Sequence, residues 1–241
     1  MIKIIYVIIF SYFVLGGIGF YLINRKREPE VAKKSYTKFA SYFLIIHIIF
    51  FSIIIQPEFF RFLTLGIIFC SIFELIRLRS FSYIKRNTFF VGSLVILISL
   101  SVGFFIFSGL HWKVLLFVFL ILSIFDSFSQ ISGQLFGKKK IFPTISPNKT
   151  LGGLVGGAVI AIASSLLLGD LYEGVSFKTL AMAVGVVVFA FLGDLAASYY
   201  KRKYKVKDFS KLIPGHGGFL DRFDSLIAGG AWGAFYFYLL S

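Results

Sequence analysis

A chain of 241 residues that is 58% hydrophobic and 15% charged, with a mean hydropathy of +0.88, is no soluble domain around a large core. Its composition is that of an all-α polytopic membrane protein, and no polar segment is long enough to fold alone, so 1–241 is one integral membrane domain. The net charge of +14 would suggest nucleic acid in a soluble protein. Here basic loops beside anionic lipid account for it, so membrane lipids are expected partners and nucleic acid is not. The single cysteine, Cys70, excludes an intrachain disulfide or a thiolate metal cluster, and its apolar setting suggests a small buried hydrophobe.

The first apolar run, 2–23, is too long for a signal peptide and lacks an A-x-A-like site, so it is expected to stay as a span. Seven further stretches approach the roughly 20 apolar residues that cross a bilayer: 36–56, 60–76, 88–109, 113–134, 151–169, 179–200 and 225–240. In the last, Trp232, Tyr236 and Tyr238 suit a membrane interface.

Loops then set the orientation. Loops 24–38, 77–87, 137–150 and 200–224 hold 21 Lys and Arg, and the alternate side holds four. The first set is therefore cytoplasmic, and both termini lie on the non-cytoplasmic side. This asymmetry also supports about eight transmembrane helices.

Two glycine stripes, Gly152-Gly153-Gly156-Gly157 and Gly229-Gly230-Gly233, suit close helix packing, and the same stripes would also suit a homodimer contact. Glu74 precedes Arg77 by one turn, which suggests a local ion pair. His47, alone on an apolar helix, suggests packing rather than ligation.

Asp126 and Asp194 are different. Each occupies the cytoplasmic half of a span and leads into a Lys-rich loop, and no basic residue lies in mid-span to neutralise them. Such costly carboxylates usually mark function, and these two could face each other at one depth. Ser198, Lys201 and Arg202 follow Asp194 at i+4, i+7 and i+8, on one helical face. Next come Lys207-Asp208, the turn Pro214-Gly215-His216-Gly217-Gly218, and Asp221-Arg222-Phe223-Asp224. Glycines let a backbone approach a ligand and cradle phosphate, and Lys201, Arg202, Lys207 and Arg222 can neutralise it. Asp221 and Asp224, at i and i+3, point the same way on the next helix. Carboxylates without cysteine suit Mg²⁺, which binds through one or two of them plus substrate phosphates. In the other loop, Ser146-Pro147-Asn148-Lys149-Thr150 leads straight into a helix, whose first amides with Lys149 would form an anion site. The residues thus describe a cytoplasm-facing site for phosphates and a divalent cation. A transporter would instead place acids near mid-bilayer in two matching halves, which this chain lacks.

The run from Ser198 through Lys201-Arg202, Lys207-Asp208, Ser210, Ile213-Pro214 and His216-Gly217-Gly218-Phe219 to Asp221-Arg222-Phe223-Asp224 resembles the signature of the phosphatidate cytidylyltransferase (CDP-diacylglycerol synthase) family. Gly193-Asp194-Leu195, the block from Asp126 through Gly133 to Gly137-Lys138, and Ser146-Pro-Asn-Lys-Thr150 resemble that family's upstream motifs. Tyr200 stands where an aliphatic residue or Phe is usual, Gly152 where Glu is usual, and Ser129-Gln130 where Ala-Tyr is usual. The resemblance covers the C-terminal half and makes 113–241 the catalytic part, with 1–112 as scaffold.

The resemblance implies cytidylyl transfer from CTP to phosphatidate in phospholipid synthesis, at the cytoplasmic face of the cell (inner) membrane. It implies catalytic roles for Asp194, Asp221, Lys201, Arg202 and His216. Ser146, Asn148, Lys149, Thr150, Ser198, Lys207, Gly217, Gly218 and Arg222 would bind substrate. Magnesium would sit on Asp194 and Asp221, with Asp126 and Asp224 as further ligands and room for a second, monovalent cation. The departures keep open a divergent member acting on another lipid phosphate, or an inactive membrane scaffold.

Overall fold

In the computed structural model, residues 2–25, 28–83, 87–215 and 217–240 are described. Among them are eight α-helices: α1 (Ile2–Asn24), α2 (Pro29–Ile55), α3 (Pro57–Phe81), α4 (Asn87–Phe107), α5 (Trp112–Phe136), α6 (Leu151–Leu167), α7 (Phe177–Lys203) and α8 (Leu220–Leu239). Five of these, α2, α3, α4, α5 and α7, are long and apolar enough to cross a membrane by length and composition. Shorter apolar helical stretches cover Ile2–Ile18 and Leu151–Leu167. The protein is an all-α polytopic membrane protein, and each of the eight expected spans coincides with one helix.

Boundaries move where caps dictate. Pro29 and Pro57 stand in the first turns of α2 and α3, where a fixed φ suits helix and no N–H is lost. Both helices therefore begin before their apolar stretch does. α8 likewise begins at Leu220, so that Asp221 and Arg222 lie in its first turn.

The loop between α5 and α6 is not irregular. It forms an antiparallel pair, β1 (Lys140–Phe142) with β2 (Ser146–Thr150), with a register shift between Lys140 and Phe142. This hairpin was not expected from the sequence, because five residues of Ser, Pro, Asn, Lys and Thr carry no apolar alternation.

α5 is the central helix. Its run 114–122 is buried on every side, as expected of a helix that is hydrophobic all round. It packs on α6, α7, α8 and α2, while α8 also packs on α7 and α4. The glycine stripes make these approaches close. On α6, a Cβ at Gly153 would lie 2.6 Å from the Ser129 carbonyl of α5, and one at Gly157 would lie 2.8 Å from that of Phe125. On α8, Gly230 meets Phe104 and Gly233 meets Phe107. Both stripes serve packing within the chain.

Trp232 and Tyr236 of α8 pack into the bundle: the half-buried Trp232 indole seats against Gly185 of α7 and donates to the Met182 carbonyl at 3.2 Å, and Tyr236 is buried. The small glycine opens a slot that the indole fills. Tyr238 is exposed. Cys70 is partly covered rather than buried, since its side of α3 is not fully packed. His47 packs as expected, its Nδ1 donating to the Phe43 carbonyl (2.8 Å) amid Phe13, Phe43 and Tyr6.

Candidate active site

The C-terminal half of α7 presents Asp194, Ser198, Lys201 and Arg202 on successive turns. Ser198 Oγ donates to Asp194 Oδ1 at 3.3 Å, and Asp194 Oδ2 faces Lys149 Nζ at 2.8 Å. Lys149 comes from the end of β2. Its ammonium also sits over the Phe191 ring, 4.5 Å from the centroid, and Phe142 of β1 meets the same ring. The hairpin therefore exists to carry a cation to α7. It is a cation the sequence did not pair with Asp194, because the partner lies in a different loop.

Arg202 fastens that hairpin. Its Nε donates to the Ile145 carbonyl at 3.1 Å and its Nη1 to that of Val206 at 2.7 Å. Two of its donors thus hold backbone rather than point at a substrate.

Lys201 is buried and pairs with Asp221 Oδ1 at 2.5 Å. Asp221 Oδ2 accepts from the Phe209 and Gly218 amides, each at 2.8 Å. The loop before α8 closes through Ile213 N–H donating to the Gly217 carbonyl at 2.7 Å. Gly215 and Gly217 hold φ of 77° and 88°, the left-handed region that glycine tolerates. A Cβ at Gly217 would also stand 2.8 Å from Asp221 Oδ2.

Each of the two carboxylates thus has the same arrangement. One oxygen is fixed by neutral donors (a serine hydroxyl, or two amides), and the other is held against a lysine ammonium. Asp224 is buried, with one oxygen on the Ser225 amide at 2.7 Å, and it feels the charges of Asp194, Lys201 and Asp126. Asp221 and Asp224 therefore serve different neighbours: one the loop, the other the helix interior. Asp126 is solvent-accessible and lies within reach of the charges of Asp194, Lys149 and Arg222. Arg222 Nε is buried with no hydrogen-bond partner among the described residues.

Other expected residues stand apart. Thr150 Oγ1 accepts from Gly153 N–H at 3.2 Å and caps α6, while Leu151 N–H donates to Lys139. Two of the amides expected to bind an anion are therefore taken. Ser146 and Asn148 lie on β2, with Asn148 exposed. Lys207 is exposed and lines a separate groove of about 580 Å³ with Arg77, Phe81, Phe209 and Lys211. His216 lies outside the described residues.

Three partners come from the N-terminal half. Glu74 does not pair with Arg77. It is fully buried and accepts from Ser210 Oγ (2.6 Å), Phe219 N–H (3.0 Å) and Leu220 N–H (2.9 Å). Its direction is set by the unsatisfied amides at the start of α8, which no local cation can replace. Ser41 Oγ donates to the Pro214 carbonyl at 2.8 Å. Tyr42, near Ser127, feels the charges of Asp126 and Arg222. An acid deep in an apolar span was the available signal for Glu74. Nothing in the sequence distinguishes Ser41 or Tyr42.

The hard-oxygen donor set with no thiolate suits a divalent cation of the magnesium kind. Among the described residues no three His, Cys, Asp or Glu side chains converge to form a cage. Such a cation would therefore rest on one or two carboxylates and on the oxygens of a bound phosphate.

A helical membrane protein with carboxylate–lysine pairs at its loop-bearing end is the class the geometry defines. Residues 105–240 match the cytidylyltransferase family. The phosphatidate cytidylyltransferase of Staphylococcus saprophyticus is 36% identical over 161 residues, 62% of this chain and 61% of that protein. That of Staphylococcus epidermidis is 38% identical over 160 residues, 61% of this chain and 60% of the relative. The Staphylococcus aureus protein of the same name is 36% identical over 160 residues. The match spans about three fifths of the length of these relatives. This chain belongs to the cytidylyltransferase family.

Proposed function

We propose that the protein transfers a cytidylyl group from CTP to phosphatidate, giving CDP-diacylglycerol and pyrophosphate at the cytoplasmic face of the cell membrane. The observation that carries this reading is the matched treatment of Asp194 and Asp221. Each has one oxygen oriented by neutral donors and the other opposed to a lysine. Carboxylates so oriented, each beside a lysine, are groups that a divalent cation and phosphates would use. The names of the staphylococcal relatives support the same reaction.

A lipid phosphate oxygen attacks the α-phosphorus of CTP, a new P–O bond forms, and the bond to the β-phosphate oxygen breaks to release pyrophosphate. The phosphatidate phosphate is already ionised near neutral pH, so no general base is assigned. Positioning and charge neutralisation then carry the catalysis. Lys149 and Lys201 are the cations placed to neutralise phosphate, with Arg222 beside Asp126. Magnesium would be held by Asp194 and Asp221, with Asp126 and Asp224 as further candidate ligands, and when bound it would offset charge on the phosphates. Arg202 and Thr150 keep the hairpin and α6 in register. The acyl chains stay in the bilayer.

The test uses the purified full chain, CTP labelled at the α-phosphate, Mg²⁺ and a panel of lipid phosphates that includes phosphatidate and an isoprenoid phosphate. Labelled CDP-diacylglycerol is expected. Label on another lipid alone corrects the acceptor, and label on none overturns the reading.

A further inference from the structure

We infer that Glu74, on α3 and outside the segment that matches the family, is a positioning residue that sets the Lys201–Asp221 pair. The inference rests on the reaction proposed above for its kinetic readout alone.

The start of α8 has no cap of its own. Its capping residue is Phe219, which has helical backbone angles and a side chain that cannot accept a hydrogen bond. By contrast, α6 and α7 begin at Thr150 and Ser176, whose hydroxyls accept from the first turn. The unsatisfied amides of α8 must find an acceptor elsewhere. Glu74 supplies it from another helix, with Oε1 on Phe219 N–H and Oε2 on Leu220 N–H. A carboxylate is also the favoured charge at a helix N-terminus.

The same carboxylate reaches back along the loop. Oε1 accepts from Ser210, next to Phe209, whose amide is held by Asp221. Glu74 and Asp221 therefore grip one segment at the same two places: 209–210 at its start and 218–220 at its end. The fit leaves no slack, because a Cβ at Gly218 would stand 2.5 Å from Glu74 Oε2. If Glu74 lets go, Leu220 and its neighbour Asp221 shift together, and Asp221 Oδ1 moves relative to Lys201.

Glutamine keeps the shape but turns an NH₂ toward an N–H, so one contact becomes a repulsion. Aspartate is one methylene too short to reach both amides. Among the described residues no cation pairs with Glu74, so its role is to accept these three neutral bonds.

The test compares full-length wild type, Glu74→Gln and Ser210→Ala in detergent micelles. The kinetic readout is turnover per folded molecule, and hydrogen exchange is followed over peptides covering 209–220. For Glu74→Gln the expected result is a kcat lowered about 10- to 100-fold, a KM for CTP within about threefold, and faster exchange confined to 209–220. Ser210→Ala removes one of the three bonds without touching α3. It should give an intermediate fall in kcat, and the double variant should be no worse than Glu74→Gln, since both act through one contact. Unchanged kcat and exchange in folded Glu74→Gln overturn the inference. So does a fall in Glu74→Gln that merely follows the folded fraction with Ser210→Ala unaffected. If wild type makes no product, the proposed reaction fails, and exchange over 209–220 alone decides the role of Glu74.

Discussion

Replacing Lys149 by Met separates charge from stability at this site. The Lys149 side chain is 19% exposed and that of Asp194 is 40% exposed. The ammonium is buried, but the carboxylate left behind in this variant is open to water, so losing the pair should cost about 1 kcal/mol, well below the roughly 3–5 kcal/mol for stranding a fully buried charge. Methionine keeps the aliphatic stem against Phe191 and loses a cation–π contact of about 0.5–1 kcal/mol. Folding should therefore weaken by about 1 kcal/mol or slightly more. Turnover should fall much further, because a cation aimed at developing phosphate charge is worth a factor of about 10²–10³ in kcat, or about 2.7–4 kcal/mol. Thermal unfolding in micelles and α-labelled CTP transfer at saturating lipid measure the two effects on one preparation. Turnover within threefold of wild type would refute the placement of Lys149 at the phosphates. Destabilisation beyond about 3 kcal/mol would refute the claim that its partner is solvated.

Asp194→Asn and Asp221→Asn should both abolish CDP-lipid formation yet differ in stability. The first leaves the amide of asparagine, open to solvent, beside Lys149, whose ammonium keeps the Phe191 ring as a neighbour, so it should cost about 1–2 kcal/mol. The second strands buried Lys201 and weakens two amide contacts, so it should cost about 3–5 kcal/mol and lower the melting temperature. Equal melting temperatures would count against that account of Asp221. Ser198→Ala removes one long bond of 3.3 Å and should cost under about 1 kcal/mol, with a smaller kinetic effect than Lys149→Met; the same two assays check it. Gly157→Ala puts a methyl into Ser129 and the Phe125 carbonyl of α5. It should cost about 1–3 kcal/mol by overpacking, read as a lower melting temperature, and an unshifted melting temperature would mean that α5 and α6 are not so closely apposed.

The spans were legible because eight apolar stretches separated by basic loops leave few alternatives. Asp126 and Asp194 were legible too, since an uncompensated acid near lipid asks for a reason. What the sequence hid were partners distant along the chain. Glu74 was assigned to Arg77 by the i+3 rule, which knows nothing of the α8 amides 145 residues away. Lys149 could not be matched to Asp194, because the hairpin that carries it has no strand pattern. The packing partner of Trp232 was hidden too, because the slot at Gly185 is visible only once α7 and α8 are packed.

Several charged and small residues of the signature hold the loops. Arg202 ties the hairpin to the turn after α7, Thr150 caps α6, and Asp221 takes two amides before it takes Lys201. The signature is thus in large part the specification of two loop conformations. The N-terminal helices complete that specification by bonding to main-chain atoms. Ser41 holds the Pro214 carbonyl, Glu74 holds the Phe219 and Leu220 amides, and Tyr200 of α7 reaches back to the Leu75 carbonyl. A bond to backbone demands a donor or acceptor at a point in space rather than a particular partner side chain. The first hundred residues can therefore fix the geometry of the site while carrying little of its sequence pattern.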